Sequence, residues 1–252
     1  MMPANTKAIF QEMFADFQDY YVLIGGTATS IVLDSQGFKS RTTKDYDMVI
    51  IDELKNKEFY NTLNHFLELG EYQGSQKDEK AQLFRFTTTN PEFPSMIELF
   101  SILPQYPLKK DGREIPLHFD QDASLSALLL DEDYYNILVH EKDTIQGYSV
   151  LSNRGLIIFK AKAWLDMRER SATGAQGLSK SIKKHLNDIS RLTASLLGDE
   201  KLSAITSSSA VKADMHRFVI ELEPVKSTIP QNDDISLDQN EIFEILKNFL
   251  DG

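Results

Sequence analysis

The first apolar stripe of the chain, Ile9, Phe10, Met13, Phe14 and Phe17, recurs at intervals of three and four and predicts an amphipathic helix over about residues 5–18. The pattern then changes. "YYVLIGG" is a short continuous apolar run ending in two glycines, and "TATSIVLDSQG" resumes helical spacing with Thr27 near its start and Gly37 near its end. Strand, glycine turn and helix therefore follow one another. A further strand, "MVII", stands directly behind Asp45 and Asp47, and helical spacing runs from about Asn56 to Leu69. "QLFRFTTT" and "SMIELFSIL" have strand composition with a Pro-containing break between them, while Pro104, Pro107, Gly112 and Pro116 punctuate a region that predicts an extra strand or hairpin.

"NILVHEKDTIQGYSVL" reads as one or two short strands. From Asn153 the spacing is helical again, through "RGLIIFKAKAWLDMRER" and "SKSIKKHLNDISRLTASLL", with a Ser/Gly/Ala-rich loop between them. Two more helices are predicted near 209–222 and 238–250, with the polar linker "PQNDD" before the last. The fold class is α+β: a mixed β-sheet flanked by helices in the amino-terminal part, 1–150, and a mainly helical carboxy-terminal part, 151–252. Neither a signal-peptide core in "MMPANTKAIFQEMFADF" nor a run of roughly 18 apolar residues is present, so the expectation is a soluble cytoplasmic protein with no membrane role.

Charge and composition narrow the chemistry. The chain has no cysteine, so disulfides and thiolate metal sites are excluded, and any metal must be held by oxygen or imidazole; magnesium is the favoured hard cation. The formal net charge of −11 would repel a polyanion if it were evenly spread. Between Arg154 and Arg191, however, nine Lys or Arg face three acids, leaving that stretch at +6 and the remainder at −17. Such a stretch is either a wall facing phosphate or a pair of solvated helix faces.

Asp45 and Asp47 are the first candidate site. Alternate residues of a strand project to one side, so the two carboxylates stand only about 6–7 Å apart along the chain. Two like charges at that range repel unless a cation joins them. An Asp-x-Asp at a strand start is equally a turn or cap device, because Asp bonds nearby backbone amides. Glu98, flanked by Ile97 and Leu99, adds a third carboxylate inside an apolar strand, and needs either a cation or an arginine such as Arg85 or Arg41 to offset its charge. Gly25 and Gly26 let the backbone approach an anion at a helix start, and Thr27 or Thr29 offers a hydroxyl. Neither a P-loop nor G-x-G-x-x-G is present, nor H-E-x-x-H, nor G-x-S-x-G, and the five histidines are scattered.

Taken together, "IGGTATSIVL…RTTKDYDMVI…MIELF" resembles the nucleotidyltransferase fold shared with DNA polymerase beta. With the later "FKAKAWLDMRER…KKHLNDI", it is similar to the AbiEii/AbiGii toxin-like group of bacterial nucleotidyltransferases, over about residues 20–195. The resemblance implies that Asp45 and Asp47 bind two magnesium ions, with Glu98 completing the catalytic cluster as a metal ligand or as the general base that activates the acceptor hydroxyl. It also implies that Gly25, Gly26 and Thr27 cradle phosphate. Lys160 or Lys162, with Lys184 and Asp188, would line the nucleotide site. The gap between Gly26 and Asp45 is longer than in the tightest superfamily members, and His185 stands where many relatives carry an aspartate. Substrate identity is left open by this departure.

Two functions follow. One is magnesium-dependent transfer of a nucleoside monophosphate from a nucleoside triphosphate to an acceptor hydroxyl on an RNA 3′ end, a protein or a small molecule. Its biological setting would be the toxin of a toxin–antitoxin or phage-defence pair, with an antitoxin protein as partner. The other is a non-catalytic nucleotide- or partner-binding module on the same scaffold.

Overall fold

A computed structural model describes residues 4–40, 43–51, 56–77, 80–100, 108–110, 113–115, 131–196 and 198–251. The chain divides into two units that interleave in sequence: Met1–Ile31, Ser40–Leu130 and Lys142–Leu151 form the first, and Val32–Lys39, Asp131–Glu141 and Ser152–Gly252 the second.

The first unit is built on a mixed seven-stranded sheet. Its strands are β1 (Tyr21–Ile24), β2 (Asp45–Ile50), β3 (Gln73–Lys77), β4 (Lys80–Thr87), β5 (Met96–Phe100), β8 (Lys142–Ile145) and β9 (Tyr148–Leu151). They lie in the order β3-β4-β5-β2-β1-β9-β8. β2 runs parallel to β5 and β1 parallel to β9, while the other neighbours are antiparallel. β6 (Leu108–Lys110) and β7 (Arg113–Ile115) form a separate antiparallel pair, as the proline-punctuated region predicted; the rest of that region lies outside the described residues.

Helices α1 (Ala4–Met13) and α3 (Lys57–Leu69) supply the aromatic core of this unit. Phe10 stacks on Phe14 at 4.4 Å and meets Tyr46 and Phe66 edge-on. Offset and edge-to-face ring pairs add to the area they bury, which makes this cluster the main apolar anchor of the sheet. Tyr46 belongs to it, touching both Phe10 and Tyr148. Because successive strand residues face opposite ways, burying Tyr46 among these rings sends Asp45 and Asp47 to the other face of the sheet. The helix expected over 5–18 stops at Met13, and turns follow it. The aspartates, expected in front of a strand, lie inside β2.

Helix α2 (Gly25–Ser35) starts at the glycine pair itself, two residues before the expected Thr27. Gly25 has φ +68 and Gly37, just past the helix, has φ +82. That is the left-handed conformation glycine adopts without steric cost.

The second unit is helical: α4 (Glu132–His140), α5 (Asn153–Ala172), α6 (Ser179–Thr193), α7 (Ser209–Leu222) and α8 (Gln239–Leu250). The last four agree with the helical spacing. α4 corrects the strand reading of "NILVH". Asp131 caps it by accepting from the amides of Asp133 and Tyr134, and Tyr134, Ile137 and Leu138 are buried at helical spacing. Only "KDTIQGYSVL" is extended, as a hairpin whose two turn residues, Gln146 and Gly147, both have positive φ.

Among the buried helix faces sits one ion pair. Lys160 of α5 donates to Asp188 of α6 at 2.8 Å, with side chains 5% and 2% exposed. Each charge is out of water, so each depends on the other.

Two outcomes follow for stability. Burial of both side chains sets the cost of breaking the pair: Lys160→Met removes the buried ammonium that faces Asp188 and lowers the unfolding free energy of the second unit by about 3–5 kcal/mol, read as a drop in the urea midpoint at unchanged slope, whereas Lys160→Met combined with Asp188→Leu recovers most of it. At the glycines, an added Cβ on Gly25 would lie 1.9 Å from Asp47 Oδ2, but one on Gly37 meets nothing within 4 Å. Gly37→Ala therefore costs about 1–2 kcal/mol from φ alone, and Gly25→Ala clearly more, in the same measurement.

Candidate functional site

Three neighbouring strands put the first-unit candidates in one row. Ile24, the last residue of β1, is the register partner of Asp47 on β2, and Asp47 is the partner of Glu98 on β5. Residues directly across from one another share a sheet face, so Asp47 and Glu98 project together, with Asp45 two residues along on the same side. Gly25 continues the chain from Ile24, and its bare Cα is what gives the Asp47 carboxylate room. The start of α2 is therefore beside that carboxylate, with the amides and positive dipole end of a helix N-terminus.

Small polar groups hold this arrangement. The Thr27 hydroxyl is buried and donates to the backbone carbonyl of Asp45 at 2.6 Å, and it lies 3.0 Å from the Thr43 hydroxyl. Thr27 thus ties the first turn of α2 to the start of β2. Thr29 and Ser30 donate back to the carbonyls of Gly25 and Gly26. Ser95 reaches the Asp45 carboxylate at 3.3 Å and donates its amide to the carbonyl of Lys44. Thr43 and Ser95 were not singled out in the sequence. The only signal was their closeness to Asp45 in "RTTKDYD" and across the sheet, and strand pairing had to supply the second.

Glu98 is engaged by Arg85, its antiparallel partner on β4, through the guanidinium Nε and Nη2 on one carboxylate oxygen. Arg41, the other arginine considered, lies outside the described residues.

The donors available for a metal here are carboxylate oxygens, which suit a hard cation. Among the described residues no three His, Asp or Glu side chains are grouped to hold a metal by themselves. Two aspartates on one strand face fit magnesium in another way, since that ion is commonly held by one or two carboxylates and completed by water and substrate phosphates.

Lys160, Lys162, Lys184 and Asp188 all belong to the second unit. The spacing places Lys184 and Asp188 on one helical face, and Asp188 also accepts from Lys160 of the neighbouring helix. Lys184 is exposed on α6. Burial draws the Lys162 ammonium down, but its hydrogen bond to Asp214 and the charges of Asp166 and Asp214 outweigh that and leave its pKa raised. Burial also raises Asp166, against the lowering effect of Lys162. Of the nine cations between Arg154 and Arg191, five are ion-paired within this unit: Arg154 with Glu141, Lys160 with Asp188, Lys162 with Asp214, Arg168 with Glu221 and Arg191 with Asp234. Most of the positive stretch is therefore internal bonding rather than a continuous wall. Trp164 and Phe159, on the same helix, are core residues. No described helix is long and apolar enough to cross a membrane.

No family model matches the chain, and no curated protein matches it. Among solved structures, the solution structure of the antibiotic-resistance factor ANT(2'')-Ia aligns over 90% of this chain and 97% of that one, with 12% sequence identity and a TM-score of 0.35. A likeness of that size carries no activity across, and the chemistry rests on the row of residues on β1, β2 and β5.

Proposed function

We propose that the first unit carries out nucleotidyl transfer: an acceptor hydroxyl attacks the α-phosphorus of a nucleoside triphosphate, the new P–O bond forms, and pyrophosphate leaves. The observation that carries this reading is the placement of Asp45 and Asp47 on one face of β2, with the helix N-terminus at Gly25 on one side and Glu98 on the other. Two aspartates on one face of a strand are costly as mere structure, because their carboxylates repel. The pair becomes useful when a divalent cation and a polyphosphate are shared between it and the helix start beside it.

In this reading Asp45 and Asp47 hold magnesium. The bound ion would neutralise developing charge on the phosphates and favour ionisation of the attacking hydroxyl. The Gly25–Gly26 backbone offers amides to phosphate oxygens, and Thr27 keeps that turn in register with β2. Glu98 takes the proton from the acceptor hydroxyl. The rate gain comes from positioning and electrostatics rather than from a covalent intermediate. This chemistry needs only residues of the first unit; Lys160, Lys162, Lys184 and Asp188 are assigned to nucleotide binding by motif resemblance alone. The same is true of the toxin role and of an antitoxin partner.

Incubation of the chain with radiolabelled nucleoside triphosphates, magnesium and total-cell RNA and protein tests the reading. Label passes to one fraction with release of pyrophosphate, and Asp47→Asn lowers the rate by at least about 100-fold, or ~2.7 kcal/mol of barrier. Nucleotide binding without transfer to any acceptor would instead identify a non-catalytic binding module. Growth arrest on expression, relieved by Asp45→Ala, is the outcome expected of a toxin.

A further inference from the structure

The third acid of the row already has a cation of the protein's own. Arg85 and Glu98 are direct partners across the antiparallel β4–β5 pair, and both Nε and Nη2 of the guanidinium meet the same oxygen, Oε1. The Glu98 side chain is 12% exposed and that of Arg85 33%, so the pair is partly withdrawn from solvent. Oε2 has no hydrogen-bond or ion-pair partner among the described residues. Across the sheet the order is Ile24, Asp47, Glu98, Arg85, so Glu98 is placed between another carboxylate and a guanidinium.

A divalent ion bound by all three acids would have to sit close to the Arg85 charge or drive it off. Either carries an electrostatic penalty, and a planar guanidinium that is always charged is the cation hardest to displace from a carboxylate. Neutralising Glu98 internally also removes the repulsion between it and Asp47 when no metal is bound. Two aspartates with phosphate oxygens are a sufficient magnesium set without it. From the nucleotidyl-transfer reading and this geometry we infer that Arg85 is a positioning residue that keeps Glu98 out of the metal's coordination sphere, leaving Asp45 and Asp47 as the protein's metal ligands and Oε2 of Glu98 for the acceptor's proton.

Manganese affinity, measured by electron paramagnetic resonance on the full chain with a non-hydrolysable nucleoside triphosphate analogue present, tests this without relying on turnover. Glu98→Gln stays within about twofold of the unaltered protein, while Asp47→Asn weakens binding at least about tenfold. Arg85→Gln frees Glu98 to join the ion and tightens binding several-fold, and adding Glu98→Gln to it restores the original affinity. A Glu98→Gln loss as large as that of Asp47→Asn overturns the inference while leaving the metal-site reading intact, and this comparison stands even if Arg85→Gln does not fold. Failure of the unaltered protein to bind manganese at millimolar concentration overturns the metal-site reading, and the inference with it.

Discussion

The antiparallel pairing of β1 with β2 presses the backbone at Gly25 against the Asp47 carboxylate, and the rest of the candidate site is arranged around that contact. A side chain at position 25 would need the space that Asp47 Oδ2 occupies. The φ of +68 there lets the chain leave β1 and enter α2 within one residue. A helix N-terminus and a carboxylate thus share one corner of the sheet. The Thr27 hydroxyl closes the arrangement by bonding the Asp45 carbonyl, so the strand that carries both acids and the helix that starts beside them are held to each other.

The other face of the same sheet explains why the acids stay where they are. Tyr46 sits between Asp45 and Asp47 in sequence and is buried among Phe10 and Tyr148. A slip of one residue along β2 would turn Tyr46 to the acidic face and bury a carboxylate among aromatic rings. Apolar packing on one face therefore sets the orientation of polar groups on the other. β5 extends the same logic, with Ile97 and Leu99 buried on either side of Glu98.

The second unit handles its charge differently. Among the described residues, six of its lysines and arginines are ion-paired within the unit, and the most buried of these pairs, Lys160 with Asp188, joins two helices that also bury apolar residues against each other. Lys162, Asp214 and the Tyr134 hydroxyl make a half-buried polar junction of α4, α5 and α7. A positive count along the chain is thus not a positive surface. Arg170, Lys180 and Lys183 are exposed and have no ion pair among the described residues, so the charge of the stretch that faces solvent is confined to a few positions of α5 and α6.

What the sequence by itself determined are the features written in local patterns. The helices at 57–69, 153–172, 179–193, 209–222 and 239–250 follow from apolar spacing and caps, and the strand–glycine–helix unit at 21–35 follows from a short apolar run meeting two glycines. The same-side placement of Asp45 and Asp47 follows from strand periodicity alone. Local pattern failed where polar or mixed residues formed elements through their neighbours. "QGSQK" is strand β3 because it pairs with β4, and the "NILVH" run is helix because Asp131 caps it from outside that run. Only the tertiary structure decided that Asp47 meets Gly25, that Glu98 lies opposite Asp47 with Arg85 as its partner, and that Asp188 answers to Lys160. Strand register and helix packing join residues tens of positions apart, and no spacing within one segment encodes which of several arginines or lysines will face a given carboxylate.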